Sequence, residues 1–396
     1  MTRRGETAPK HRRKTLEVRE RLPFECVALL LQGGGALGAY QAGVYEALAE
    51  ARLHPDWVAG ISIGAINAAL IAGNPPEGRV EKLRAFWEEV TGNPLVSLDG
   101  GLASLFARGD AAREALNQVS AVTALTQGAP GFFTPRIPAP WLNPPGTMDA
   151  TSYYDTAPLK ATLERLVDFD RINSDDIRFS VGAVNVGSGN FVYFDTETHV
   201  IRAEHVMASG ALPPGFPAVE IEGQYYWDGG LVSNTPLQWV AENEPRQDTL
   251  AFQVDLWNAR GEFPRTLAEV ATRQKEIQFS SRTRANTDRV KHAQRWRNAV
   301  ASLLESMPAE LKQTPEVEYL CTQAQRKVYN IVHLIYRARN YEGQSKDYEF
   351  SRISMQEHWR AGYQDTMRTL RHPSIFERPR NVEGVSVFDL LTDGHE

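Results

Sequence analysis

The sequence predicts an α/β fold with a mostly parallel central sheet, and three observations carry that expectation. Two short apolar runs, residues 27–31 and 57–61, are each followed at once by a helical pattern. Glycines mark both strand-to-helix junctions, where the chain must turn sharply. The 396-residue chain is 42% hydrophobic and 23% charged, enough apolar material to cover such a sheet on both faces.

Residues 27–31 are continuously apolar, too short for a helix and closed by glycines, which suits a fully buried strand. Residues 38–50 read as a helix with Tyr40, Val44, Ala47 and Leu48 on one face. A second strand at 57–61 leads into a small-residue helix at 63–72, and strand–helix–strand–helix in so short a span favours parallel strands. Residues 77–90 and 111–125 continue as amphipathic helices. Between 130 and 145 six prolines interleave with Phe132, Phe133 and Trp141, excluding regular helix or central strand. A long irregular segment of this kind serves either as an active-site lid or as a packed surface loop. Residues 159–167 resume a helix. The runs 179–186 and 191–194 flank Gly187-Ser188-Gly189-Asn190 as a hairpin, and 249–256 reads as one more buried strand.

From about 262 to 371 the pattern is helical and strongly charged. The chain is therefore expected to divide into a disordered basic tail at 1–22, a catalytic domain at 23–260 and a mainly helical C-terminal region at 261–396. The tail rests on eight basic residues against three acidic ones within 1–21.

A net charge of -6 gives no general case for nucleic acid as a partner. Cys26 and Cys321 stand far apart, without a disulfide framework or a CxxC metal site, so a cytoplasmic, reducing location is expected. The basic start runs into polar residues rather than an apolar signal core, and no apolar run approaches the roughly 20 residues of a membrane span. Membrane contact is then peripheral. Residues 271–300 carry eight basic residues against two acidic ones, with Val290, Ala293, Trp296, Val300 and Leu303 at helical spacing. Such a helix can lie on an anionic membrane, although packing on the catalytic domain is the commoner use of an apolar stripe.

Three short segments carry chemistry. Gln32 is followed by Gly33, Gly34 and Gly35, and Gly38 opens the first helix. Glycines there let backbone N–H groups converge beside a helix N-terminus, as a phosphate or an oxyanion requires. Gly60-Ile-Ser62-Ile-Gly64 is a GxSxG sequence between strand and helix, the pattern of a nucleophile elbow that lifts Ser62 off the sheet. Asp228 precedes Gly229 and Gly230 in an aromatic-flanked turn that by itself could be only a turn.

Taken in this order, and with the Ala-Ser-Gly-Ala-Leu-Pro-Pro-Gly-Phe-Pro stretch at 208–217, these segments resemble the patatin-like phospholipase family over about residues 25–258. The region from about 280 to 390 is similar to a C-terminal domain of unknown function found in some bacterial members. The resemblance implies a three-layer α/β/α fold and a Ser62–Asp228 dyad acting through an acyl-enzyme. Gly33, Gly34, Gly35 and Gly38 then form the oxyanion hole, and Gly60, Gly64, Gly229 and Gly230 support the motifs. The implied substrates are phospholipid, lysophospholipid or neutral acyl esters, with no cofactor and no metal. Many members carry Arg or Lys where this loop has Leu37, so a strictly anionic lipid is not required by the pattern.

Two rivals remain at this point. A Ser–Asp–His triad would draw on His333 or His358, both in segments that read as charged helix. A dinucleotide-binding loop would use Gly33, Gly35 and Gly38 with Asp56, 18 residues past Gly38, as the ribose-binding acid.

Overall fold

The computed structural model describes residues 22–92, 109–280, 283–324, 326–339 and 341–390, so the basic tail falls, but for residue 22, outside the described residues. The first strand, β1 (Cys26–Leu31), is followed by helix α1 (Ala39–Glu50), and β2 (Trp57–Ile61) by α2 (Ile63–Ala72) and α3 (Arg79–Val90). Helix α4 (Asp110–Gln127) leads into a small hairpin of β3 (Thr134–Pro135) and β4 (Tyr154–Asp155). Two helices, α5 (Ala157–Leu166) and α6 (Phe169–Ile172), precede the hairpin of β5 (Arg178–Asn185) and β6 (Phe191–Asp195). Helix α7 (Ala203–Ser209), strands β7 (Val219–Ile221) and β8 (Gln224–Asp228), helix α8 (Leu237–Glu242) and β9 (Thr249–Asp255) follow. The chain continues through α9 (Leu267–Phe279), α10 (Thr283–Ser306), α11 (Pro315–Gln323), β10 (Tyr329–Ile335), α12 (Arg352–Thr369) and β11 (Val385–Phe388).

Nine strands form one sheet in the order β11-β10-β9-β1-β2-β5-β8-β7, with β6 also paired to β5. The six strands from β11 to β5 run parallel, and β6, β7 and β8 are antiparallel additions. Side chains alternate across a strand, so β1 sends Val27, Leu29 and Leu31 into the core under α1, α2 and α3. Cys26, Ala28 and Leu30 face the opposite layer, where Leu237 and Val240 of α8 and Val290 of α10 pack. The fold is a three-layer α/β/α sandwich.

Residues beyond 260 are built into this sandwich. Their pattern reads as helix throughout, yet β10 lies against β9 for seven residues and β11 extends the sheet further. The apolar run in β10 is short and flanked by charge, and partners 80 and 56 residues away, β9 and β11, make it a strand. His333 therefore sits on a buried strand rather than a charged helix, whereas His358 lies on the buried face of α12.

Helix α10 also departs from its expected face. Its buried line is Thr287, Val290, Gln294, Arg297, Ala301 and Leu304, while Trp296 and Leu303 point to solvent. Two polar positions, Gln294 and Arg297, are buried because backbone carbonyls meet them: Gln294 Nε2 donates to Lys327 O at 2.7 Å and Arg297 Nη1 to Ala241 O at 3.5 Å. Those contacts rotate the helix by part of a turn from where its apolar residues alone would set it.

Helices α1 and α12 cross at backbone contact. A Cβ on Gly43 would lie 1.9 Å from Trp359 O, and one on Gly362 would lie 2.0 Å from Tyr40 O. In an isolated helix Gly→Ala gains about 1 kcal/mol of propensity. Here overpacking should outweigh that gain, and Gly362→Ala should lower stability by about 2 kcal/mol. Urea unfolding checks this, and a variant as stable as the parent would mean the helices are not so close.

Candidate active site

β1 and β2 are parallel neighbours with Leu31 opposite Gly60, so the glycine loop and Ser62 leave the sheet side by side at its C-terminal end. Ser62 is held at φ 56°, ψ -126°, a left-handed conformation that a serine adopts only when its surroundings impose it. Both flanking glycines are sterically required. A Cβ on Gly60 would lie 2.3 Å from Gly64 O, and one on Gly64 would lie 2.3 Å from Leu31 O. Helix α2 begins at the next residue and directs its N-terminus to the same point.

Asp228 arrives from the opposite direction. One edge of β5 pairs with β2 through residues 178–182 and the other with β6. β8 takes the edge that β2 vacates, pairing residues 183–185, with Asp228 opposite Ala183. The carboxylate is buried, accepts the Gly230 N–H at 2.7 Å and lines the same cavity as Ser62. Burial pushes its pKa up to about 7, against the polar influence of the Ser62 hydroxyl and the Gly230 N–H, which pull it down. A carboxyl titrating there is a competent proton acceptor near neutrality.

The glycine loop is fixed from three sides. Asn234 Oδ1 accepts the Gly33 N–H and Asn234 Nδ2 donates to Gly33 O, both at 3.1 Å. Trp257 Nε1 donates to Gly33 O at 3.0 Å, and the Ala36 N–H reaches Asp347 O at 2.8 Å. Gly35 has φ +55°, and a Cβ on it would lie 2.0 Å from Asp347 O. Asp347 is itself held by Lys275 Nζ at 2.7 Å, and the adjoining Lys346 by Glu276 at 2.7 Å.

These contacts sort the candidate oxyanion donors. The Gly33 amide is committed to Asn234, and the Ser62 amide to Ser209, whose O and Oγ lie at 3.1 and 3.0 Å. The amides of Gly34 and Gly35 have no acceptor among the described residues and line the cavity beside Ser62. Gly38 stands apart from that cavity, packed against Ile63 and Trp87 at the start of α1. Gly229 lies against Gly182 O, and Gly230 lines the cavity. Leu37 is fully buried in the core and is not part of the cavity lining.

The site opens into a cavity of about 290 Å³ walled by Ile66, Phe132, Phe133, Phe216, Trp257 and Phe350. The proline-rich segment is divided in two. Phe132 and Phe133 are buried wall residues in aromatic contact with Phe216 and Phe350, whereas Trp141 is exposed. Asn234 and Ser209 are not among the residues the sequence points to, although Ser209 lies inside the 208–217 stretch and Asn234 only four residues past Gly230. Nor are Phe279, Asp347, Tyr348 and Phe350, for which no local signal exists.

Neither rival constellation assembles. No histidine lines the cavity among the described residues. His333 Nδ1 lies 3.8 Å from Asp255, and burial brings its pKa down to about 4; His358 Nε2 lies 3.2 Å from Glu342. The Asp56 carboxylate accepts the Val27 N–H at 2.8 Å, at the opposite end of β1 from the glycines, so it cannot reach a ligand held by them.

A family model described as patatin-like phospholipase matches residues 29–240, just over half of the chain, and one described as patatin phospholipase matches residues 277–382. A curated relative, Lysophospholipase nte1 of Aspergillus terreus, is 47% identical over 66 residues, which is 16% of this chain and 4% of that protein's length. Among solved structures, VipD from Legionella pneumophila is 15% identical with a TM-score of 0.39, covering 92% of this chain and 71% of its own. ExoU from Pseudomonas aeruginosa, in complex with SpcU, is 18% identical with a TM-score of 0.23, covering 75% and 60%.

If Asp228 is the proton acceptor it must be ionised to act, and kcat/KM for an uncharged ester should then rise with pH through a midpoint near 7. The stability consequence has the opposite sign. A folded pKa above the unfolded one means that burying Asp228 costs little below the unfolded value of about 4 and progressively more as pH rises to 7. Asp228→Asn should therefore raise Tm relative to the parent more at pH 8 than at pH 5. An equal Tm difference at the two pH values would contradict the raised pKa.

Proposed function

We propose that this chain, which belongs to the patatin-like phospholipase family, hydrolyses lipid carboxylic esters with Ser62 as nucleophile and Asp228 as its base. The observation that carries the reading is the convergence of Ser62, held at positive φ, and a buried Asp228 on one apolar cavity.

Ser62 Oγ attacks the ester carbonyl carbon as its proton passes to Asp228. The carbonyl oxygen becomes an oxyanion facing the amides of Gly34 and Gly35, with Gly33 holding the loop rather than donating. The intermediate collapses by breaking the bond to the alcohol, which leaves with the proton from Asp228. Water then attacks the acyl-enzyme, gives its proton to Asp228, and the fatty acid departs as Ser62 Oγ regains it. Donors preset where the charge develops contribute on the order of 3 kcal/mol each.

The cavity supports an acyl chain rather than a charged group. Its walls are mainly aromatic and aliphatic and no Lys or Arg lines it among the described residues; Lys346 and Lys275 stand over the rings of Trp257 and Tyr348, 5.2 and 5.0 Å from their centres. Phospholipid, lysophospholipid and neutral esters all present such a chain, so the head group is set outside this cavity. Every proton transfer is made by Asp228 and every charge is met by backbone N–H groups, so no step calls for a metal.

A fluorophosphonate should label Ser62 alone, and Ser62→Ala should lose labelling together with about 10⁴-fold or more of ester turnover. Asp228→Asn should lose turnover comparably, while the double variant of His333 and His358 keeps most of it if folded. Hydrolysis of medium-chain p-nitrophenyl esters should persist in EDTA. Full turnover by either dyad variant would end the assignment.

A further inference from the structure

The surface beside the cavity mouth breaks the usual rule of polar residues outside. On α4, Arg113, Asn117 and Ser120 are buried, Arg113 reaching Ser354 at 3.1 Å and Glu357 at 2.9 Å on α12. Three of the larger apolar residues of the same helix face outward: Val119 is 61% exposed, Val122 57% and Leu125 46%. The segment that follows repeats the pattern, with Ile137 94% exposed, Trp141 75% and Leu142 68%.

The segment after α4 carries almost no charge of its own, although Val122 and Leu125 on α4 also border a groove that holds Glu114, Arg260, Glu262 and Arg265. Between residues 119 and 154 only Arg136 and Asp149 are charged, although a chain 23% charged would place about eight charges in that length. Those two form an ion pair with each other, so the segment presents no net charge. It is also anchored at the site. Arg136 N donates to Tyr153 O at 3.0 Å, Tyr154 OH to Leu125 O at 2.9 Å, and Tyr154 N to Gly215 O at 2.9 Å. Leu125, Phe133 and Tyr154, from which the exposed residues extend, line the cavity itself.

We propose that α4 and the β3–β4 hairpin form a docking surface for an uncharged or zwitterionic lipid interface, inserting Trp141 and Leu142 at the level of the ester groups. The occupant follows from three properties taken together. The tip at Ile137, Trp141 and Leu142 is apolar and exposed, the segment that carries it has no net charge of its own, and it is continuous with the wall of the cavity. An indole at the tip of such a segment suits the boundary between head groups and hydrocarbon. The basic stretch 271–300 is the weaker candidate for membrane contact. Arg273, Lys275 and Arg295 are ion-paired within the protein, and Arg297 is buried.

The proposal rests on the lipid-ester reading for its biological sense, but the test separates the two. Ser62→Ala protein, which leaves vesicles intact, is sedimented with phosphatidylcholine vesicles at low and high salt. Binding should persist at high salt and gain little from added phosphatidylglycerol. Adding Trp141→Ser and Leu142→Ser should weaken partitioning on the order of tenfold or more. In the chain with Ser62 restored, the double substitution should lower hydrolysis of vesicle-borne ester in proportion and spare a water-soluble p-nitrophenyl ester. Tryptophan quenching by brominated phosphatidylcholine should disappear in Trp141→Phe, a substitution too mild to unfold an exposed loop. Unchanged partitioning in the double variant, unchanged quenching in Trp141→Phe, or binding that needs anionic lipid and fades with salt would overturn the proposal. So would self-association that the double substitution abolishes, without affinity for vesicles. Failure of Ser62→Ala to stop soluble-ester turnover would remove the catalytic reading while leaving the vesicle result to stand by itself.

Discussion

β5 presents one edge to two strands that run toward each other, and the positions of Ser62 and Asp228 follow from that sharing. β2 uses the edge as far as Gly182, opposite Ile61, and the chain must then leave the sheet, which it does at Ser62. β8 enters from the far side and uses the edge down to Ala183, opposite Asp228. Two residues 166 positions apart in sequence are thus brought together by the hydrogen-bond ladder itself rather than by flexible loops. A site carried on strand ends keeps its geometry because moving either residue would break backbone pairing. The left-handed conformation of Ser62 is sustained in the same way, with Gly60 and Gly64 permitting the close backbone contacts that a side chain would prevent.

The glycine loop depends on more distant parts of the chain. Asn234 and Trp257 hold Gly33, and the backbone of Asp347 holds Ala36 while crowding Gly35. The Lys275–Asp347 and Lys346–Glu276 pairs fasten that backbone to α9. Phe279, Tyr348 and Phe350 also line the cavity. The C-terminal region therefore does three things at once: it widens the sheet, walls the cavity and fixes the glycine loop that lines the cavity with Ser62. Separating it from the first 260 residues would expose one edge of β9 and remove part of the cavity.

Much of this was legible in the sequence where structure is local. Residues 57–61 and 63–72 match their strand and helix, because a buried parallel strand and an alanine-rich helix both advertise themselves within a few residues. The serine was legible because its turn demands glycine on both sides. What escaped was non-local. β10 is an apolar run whose identity depends on β9, and Asn234 is one polar residue among several in a turn. Asp347 contributes a backbone carbonyl, which no residue type encodes. Gly38 illustrates a different limit: it belongs to the motif by spacing, but its absent side chain serves the packing of α1 on α2. Leu37 shows the same effect, since a position judged by its charge turns out to be set by the core.

The crossing of α1 and α12 has a consequence in time. Gly43 and Gly362 meet at backbone distance, yet 319 residues separate them. At roughly 5–20 residues per second, synthesis of the intervening chain takes on the order of 15 to 60 s. Throughout that interval Tyr40, Val44 and their neighbours have no cover from Met355 and Trp359, and until Thr249–Asp255 is made β1 also lacks the β9 partner on its outer edge. The nascent polypeptide therefore leaves the ribosome with its earliest strand and helix already made and still unsatisfied. Final assembly must await the last hundred residues, and in this period the chain is most open to chaperones and to association with other unfinished copies.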